Sequence, residues 1–133
     1  MNWQYFDFNT LIPQSELTYL KKTKDKSIVT IKRLPVFANP HHVYTFEEND
    51  IQKVGAIWFV AKLNGFRPEE LAMITDLLYR YLNINYSNKY EISMDYCIAV
   101  DVNSSNSTSY SPIENREIKS ALIPTVDEMK KLM

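Results

Sequence analysis

Residues 47–83 read EENDIQKVGAIWFVAKLNGFRPEELAMITDLLYRYLN, and the fold turns on this stretch. Ile51, Val54, Trp58 and Ala61 recur at helical spacing, with Ile57 beside them, which predicts a first helix over about 47–63. Glu47, Glu48 and Asp50 would sit in its first turn and Lys62 near its end, each complementing the helix dipole. Gly65 suits the left-handed residue that closes a helix. Pro68 then opens a second helix with Glu69 and Glu70 in its first turn, and Leu71, Ile74, Leu78, Tyr81 and Leu82 form its apolar stripe. So short a connection predicts a helical hairpin. The run Ile57-Trp58-Phe59-Val60 would wrap most of the first helix, making Trp58 and Phe59 candidates for the core or for an interface.

Outward from that hairpin, residues 90–102 alternate closely and predict a strand. Tyr90, Ile92, Met94, Tyr96, Ile98, Val100 and Val102 would share one face; Glu91, Ser93, Asp95, Cys97, Ala99 and Asp101 would share the other. Residues 27–37 are rich in β-branched side chains and predict a second strand, with Pro35 at an edge or an end. Asn39-Pro40 starts a turn. Residues 3–8 suit a short edge strand, and Ser15 with Glu16 would open a helix over about 14–22. Residues 103–111, NSSNSTSYS, are expected as a mobile polar loop. A helix is expected near 113–122, and Thr125 with Glu128 would form a capping box for a last short one. The expectation is a single α+β domain over 1–133, a helical hairpin packed on a small, mainly antiparallel sheet.

Composition narrows the function classes. The chain has 133 residues, 45% of them hydrophobic, enough for a core without metals or disulfides. Its formal charge of -1 is not that of a strongly basic nucleic-acid binder. The charge is uneven: residues 1–46 carry six basic and three acidic side chains, and residues 47–133 carry nine and thirteen. A positive amino-terminal third is compatible with an anion-binding face. One cysteine, Cys97, allows no internal disulfide and points to a reducing, cytoplasmic compartment. MNWQYFDFN does not read as a secretory signal, and Gly55 to Ala61 is far short of the roughly 20 apolar residues that span a bilayer, so no membrane role is expected. With glycine only at Gly55 and Gly65, the chain lacks the glycines of a phosphate-cradling loop.

The chemistry-bearing residues are sparse. His41 and His42 are adjacent, with no acidic partner at the spacing of a metal or catalytic motif. Asp95 and Asp101 would be about 20 Å apart along an extended strand, too far for paired acid and base work. Cys97 has an acidic neighbour in Asp95, which disfavours a thiolate. Lys21, Lys22, Lys24 and Lys26, with Lys32 and Arg33, are candidates for anion or phosphate contact, and Trp3, Tyr5, Phe6 and Tyr19 nearby could stack on bases. No catalytic residue, metal site or cofactor is assigned.

Tyr44-Thr45, Asp50-Ile51, Ile57, Leu63, Gly65-Phe66 and Pro68-Glu69-Glu70-Leu71 resemble a segment of MerR-type transcription regulators. The likeness covers residues 44–78. It implies a winged-helix context in which Tyr44 would touch the DNA backbone. The leading expectation is nonetheless a small cytoplasmic, non-enzymatic interaction or regulatory protein. Its partner would be another protein or a second copy, and its size and composition suit a mobile-element, phage or immunity-type accessory factor. The alternatives are a DNA-binding regulator using the basic segment and Tyr44, and a small enzyme with a dispersed site of His41, His42, Asp95 and Asp101.

Overall fold

A computed structural model describes residues 11–13, 15–20 and 28–132. The described chain runs β1 (Thr18–Tyr19), β2 (Ile28–Ile31), β3 (Leu34–Phe37), β4 (His42–Glu48), β5 (Ile51–Val60), α1 (Pro68–Tyr86), β6 (Glu91–Asp101), β7 (Asn106–Ser109), α2 (Ser111–Glu114) and α3 (Leu122–Lys131). One sheet has the order β1-β4-β5-β6-β7, and β2 and β3 form a separate ribbon. Every pairing is antiparallel except β5 with β6. The architecture is α+β with a mainly antiparallel sheet, as the sequence predicts.

The predicted helix over 47–63 is instead the turn of a β-hairpin and the central strand β5. A single helix, not a helical hairpin, lies on the sheet. The helical spacing was coincidental in a stretch that is apolar nearly throughout from Val54 to Val60. An apolar run bounded by turn residues also suits a strand buried on both faces. Two further features favour the strand. Asn49 and Asp50 take left-handed φ values of 54° and 65°, the two-residue turn that joins twisted antiparallel strands. Gly55 and three β-branched residues, Val54, Ile57 and Val60, would also weaken a helix. The second predicted helix is present as α1.

Parallel pairing of β5 with β6 needs a long crossover, and α1 supplies it. The β6 strand matches expectation in extent but not in its faces. Val54 pairs with Ile92 and Ala56 with Cys97, so two positions along β5 correspond to five along β6. This bulge reverses the alternation. Ile92 and Cys97 both face α1, whose Leu77, Leu78, Tyr81 and Leu82 pack there with Val43, Val54 and Ala56. Ile98 and Val100 face the other way, with Tyr44, Phe46 and Ile57, against Leu11, Ile12 and Leu17.

Further expectations are corrected. The strand over 27–37 is a hairpin, because Lys32 and Arg33 adopt φ of 51° and 72° and turn the chain between Ile31 and Leu34. Residues 103–111 are not simply a loop: Ser105 at φ 60° turns the chain and β7 pairs with Ile98–Asp101. Ser15 caps no helix, since Thr18 and Tyr19 are strand. At the carboxyl-terminal end, α2 is a single turn and α3 starts at Leu122, so Thr125 lies inside a helix rather than at its cap. The expected strand at 3–8 lies outside the described residues.

At Gly55, β5 passes close to the bulge. A Cβ there would lie 2.9 Å from the Tyr96 carbonyl oxygen, 3.1 Å from its Cβ and 3.2 Å from Tyr44 Cε2. Backbone cannot yield as a flexible side chain does. Gly55→Ala is therefore expected to destabilise the fold by roughly 1–3 kcal/mol in urea unfolding, the usual cost of overpacking.

Candidate functional site

Among the described residues, Lys32, Arg33 and Tyr44, all expected to touch phosphate, do not form one site. Lys21, Lys22, Lys24 and Lys26 lie outside the described residues, as do Trp3, Tyr5 and Phe6. Lys32 Nζ is 3.0 Å from Asp127 Oδ1, and the Lys32 carbonyl accepts a hydrogen bond from Lys130 Nζ at 2.8 Å. Arg33 is exposed at the tip of the β2–β3 turn. Tyr44 is 0% exposed, so its hydroxyl cannot reach a DNA backbone. Its ring covers Gly55, and burial pushes its phenol well above the ordinary range, with Tyr96 and Tyr19 adding to the shift. Trp58 and Phe59, expected in the core or at an interface, are both half-buried on opposite faces of β5: Trp58 against the α1 side, Phe59 against the other.

The dispersed His/Asp set also stays dispersed. The His41 Nδ1 accepts a hydrogen bond from the Phe59 N–H at 3.1 Å, and its ring lies edge-on to Phe59. The His42 ring lies edge-on to Tyr19 at 5.7 Å. Asp95 accepts a hydrogen bond from the Ser111 hydroxyl. Cys97 is buried, and desolvation pushes its thiol far above the ordinary value, with Asp76 adding to the effect. Among the described residues no three His, Cys, Asp or Glu side chains are placed to hold a metal ion.

Asp101, the other carboxylate of that set, is almost wholly buried. Its carboxylate accepts from the Phe66 N–H at 3.2 Å, the Asn103 N–H at 3.0 Å and the Ser104 hydroxyl at 2.8 Å. It thus ties the loop before α1 to the β6–β7 turn, at the carboxyl ends of the two parallel strands. Open α/β sheets bind ligands in such a crevice. Here the charges are already matched. Glu70 accepts from the Arg67 N–H at 2.9 Å and lies 3.1 Å from Lys62 Nζ, and these contacts hold its carboxyl below the usual range. Asp101 therefore reads as a structural clamp. Asp101→Ala is expected to cost roughly 1–3 kcal/mol in urea unfolding, because three donors lose their acceptor.

Two other surfaces carry unmatched groups among the described residues. The first is the outer face of the β2–β3 ribbon. Val29, Ile31 and Leu34 turn inward to the core, leaving Ile28, Thr30, Pro35 and Phe37 outward. Ile28 and Phe37 are cross-strand partners, 54% and 62% exposed. The hairpin's period-two pattern carries this signal, but the Lys32-Arg33 turn hides it from a sequence reading.

The second is a cleft of about 360 Å³ between β1 and β4, lined by Ser15, Glu16, Thr18, Thr45, Phe46, Glu47 and Gln52. Thr18 pairs with Thr45 and Tyr19 with Tyr44, and the Leu20 N–H donates to the Val43 carbonyl at 2.8 Å. In that register Glu16 would stand opposite Glu47, and like charges directly opposed disfavour pairing. That gives a physical reason for β1 stopping at Thr18. The sequence places Glu16 and Glu47 in the first turns of helices, whereas in the structure both lie at the β1–β4 edge.

No family model, no curated protein and no solved structure matches the chain.

Proposed function

We propose that the protein acts by binding a protein partner through the outer face of the β2–β3 ribbon. The observation that carries this reading is the cross-strand pair Ile28 and Phe37, both more than half exposed on a hairpin whose other face is core. A two-stranded ribbon has little reason to present Ile, Pro and Phe to water unless that face is covered. Apolar anchors of this kind, aromatic ones above all, dominate the energy of protein interfaces.

Charge selects the partner's chemistry. Arg33 stands at the ribbon's tip with no ion pair among the described residues, and the sequence just before β2 is lysine-rich. The face therefore suits an apolar patch with an acidic rim. Reducing surroundings suit a chain whose sole cysteine is buried. Among the described residues no helix is long and apolar enough to cross a membrane.

The test compares partners captured by the native protein with those captured by Ile28→Ser/Phe37→Ser. Tyr19→Ser, an equally exposed aromatic elsewhere, serves as control. Proteins retained by the native chain and the control but lost at least about tenfold by the double variant support the reading, since losing two apolar anchors is worth more than 1.4 kcal/mol. Identical captures by all three contradict it.

A further inference from the structure

We propose that the cleft between β1 and β4 is a receptor for one organic cation, a guanidinium or primary ammonium group, held between Glu16 and Glu47. This stands apart from the ribbon face and does not depend on it.

The cleft offers acceptors. The side chains that line it include two carboxylates, the hydroxyls of Ser15, Thr18 and Thr45, and the carboxamide of Gln52. No lysine, arginine or histidine is among these lining residues. The nearest cation along the hairpin, Lys53, is taken: it lies 2.9 Å from Glu48 and 3.7 Å from Glu91. Neither Glu16 nor Glu47 has an ion pair among the described residues.

A second observation is independent of the acids. Thr45 is only 7% exposed, and its hydroxyl has no hydrogen-bond partner among the described residues. The oxygen itself is not sealed from solvent, so it is open to whatever enters the cleft. Strand alternation shows which residues share its face. Thr45 and Glu47 lie on one face of β4, and their cross-strand partners Val54 and Gln52 lie on the same face of β5. Thr18, paired to Thr45, shares it. Thr45, which lines the cleft, therefore shares a face with Glu47, Gln52 and Thr18.

The backbone adds a further group. The Leu20–Val43 hydrogen bond sends the N–H and C=O of Val43, and by alternation those of Thr45 and Glu47, toward β1. Because β1 ends at Thr18, the Glu47 pair meets no strand partner among the described residues. A donor-rich planar cation satisfies the Glu47 carbonyl and the two carboxylates better than a bare metal ion, while the Glu47 N–H, itself a donor, takes no part. A guanidinium carries five N–H donors in a fixed fork and binds carboxylates bidentately. Calcium demands six to eight oxygens in a closed shell. The volume of about 360 Å³ has room for a guanidinium group.

The experiment follows the backbone amides of Thr18, Thr45, Glu47 and Gln52 by NMR while the protein is titrated at constant ionic strength. The probes are agmatine, an arginine-containing peptide, the same peptide with citrulline, potassium chloride and calcium chloride. Saturable shifts at these amides with agmatine at about 1 mM, the scale of a small fragment, support the site and identify a free cation as sufficient. Saturable shifts with the arginine peptide but not agmatine support it and identify a partner's side chain as the source. In either case Glu16→Gln/Glu47→Gln is expected to weaken binding more than tenfold and Thr45→Val by a smaller factor. The double glutamine variant also removes the repulsion, so its Tm without ligand is expected to be no lower than the native one, which separates lost binding from lost folding. Equal shifts with arginine and citrulline peptides, equal shifts with potassium chloride, saturation by calcium alone, or no saturable shift would each overturn the proposal.

Discussion

The parallel pairing of β5 with β6 is the constraint on which the remaining structure depends. Adjacent parallel strands cannot be joined by a tight turn, so α1 must cross the sheet, and its apolar stripe covers one face. The antiparallel neighbours then follow locally. β4 folds back on β5 through Asn49-Asp50, and β7 folds back on β6 through the turn at Ser105. The strands in the middle are buried on both faces from Val54 to Ile57 and from Cys97 to Asp101, unlike those at the edges. Gly55 is part of the same constraint, because only a residue without Cβ admits the β6 bulge and the Tyr44 ring together.

That centre explains what the sequence could and could not reveal. The α1 helix was legible because Pro68, Glu69, Glu70 and the Leu71–Leu82 stripe agree at every level. The extent of β6 was legible from alternation, but its faces were not, since a bulge leaves no mark on the hydrophobic pattern and inverts everything beyond it. β5 failed for a different reason. A strand covered on both sides loses its period of two, and what remained matched a helical period by accident. The Asn49-Asp50 pair was the overlooked signal. Lys32 and Arg33 gave none, because neither residue type prefers the left-handed conformation that both adopt.

The unmatched surfaces were hidden by the same errors. Read as one strand, residues 27–37 have no outer face to expose Ile28 beside Phe37. Read as helix starts, Glu16 and Glu47 complement dipoles and never meet. Residues that looked chemical from sequence are explained by structure instead: Tyr44 fills the space over Gly55, Asp101 clamps two loops, and Cys97 is sealed beneath α1, its Sγ 3.8 Å from the Thr75 carbonyl. Among the described residues, Glu16 and Glu47 beside the β1–β4 cleft carry no ion pair, and Ile28 and Phe37 pair on the outer face of the ribbon, both more than half exposed.

The central claim is that residues 51–60 form the middle strand, parallel to β6. Nuclear Overhauser contacts within the backbone test it directly. The account requires interstrand contacts linking Ile57–Phe59 with Ile98–Val100 in parallel register, and only sequential contacts within 51–60. Contacts between residues three apart along 51–60, with none to β6, would make that stretch a helix and contradict the fold at its centre.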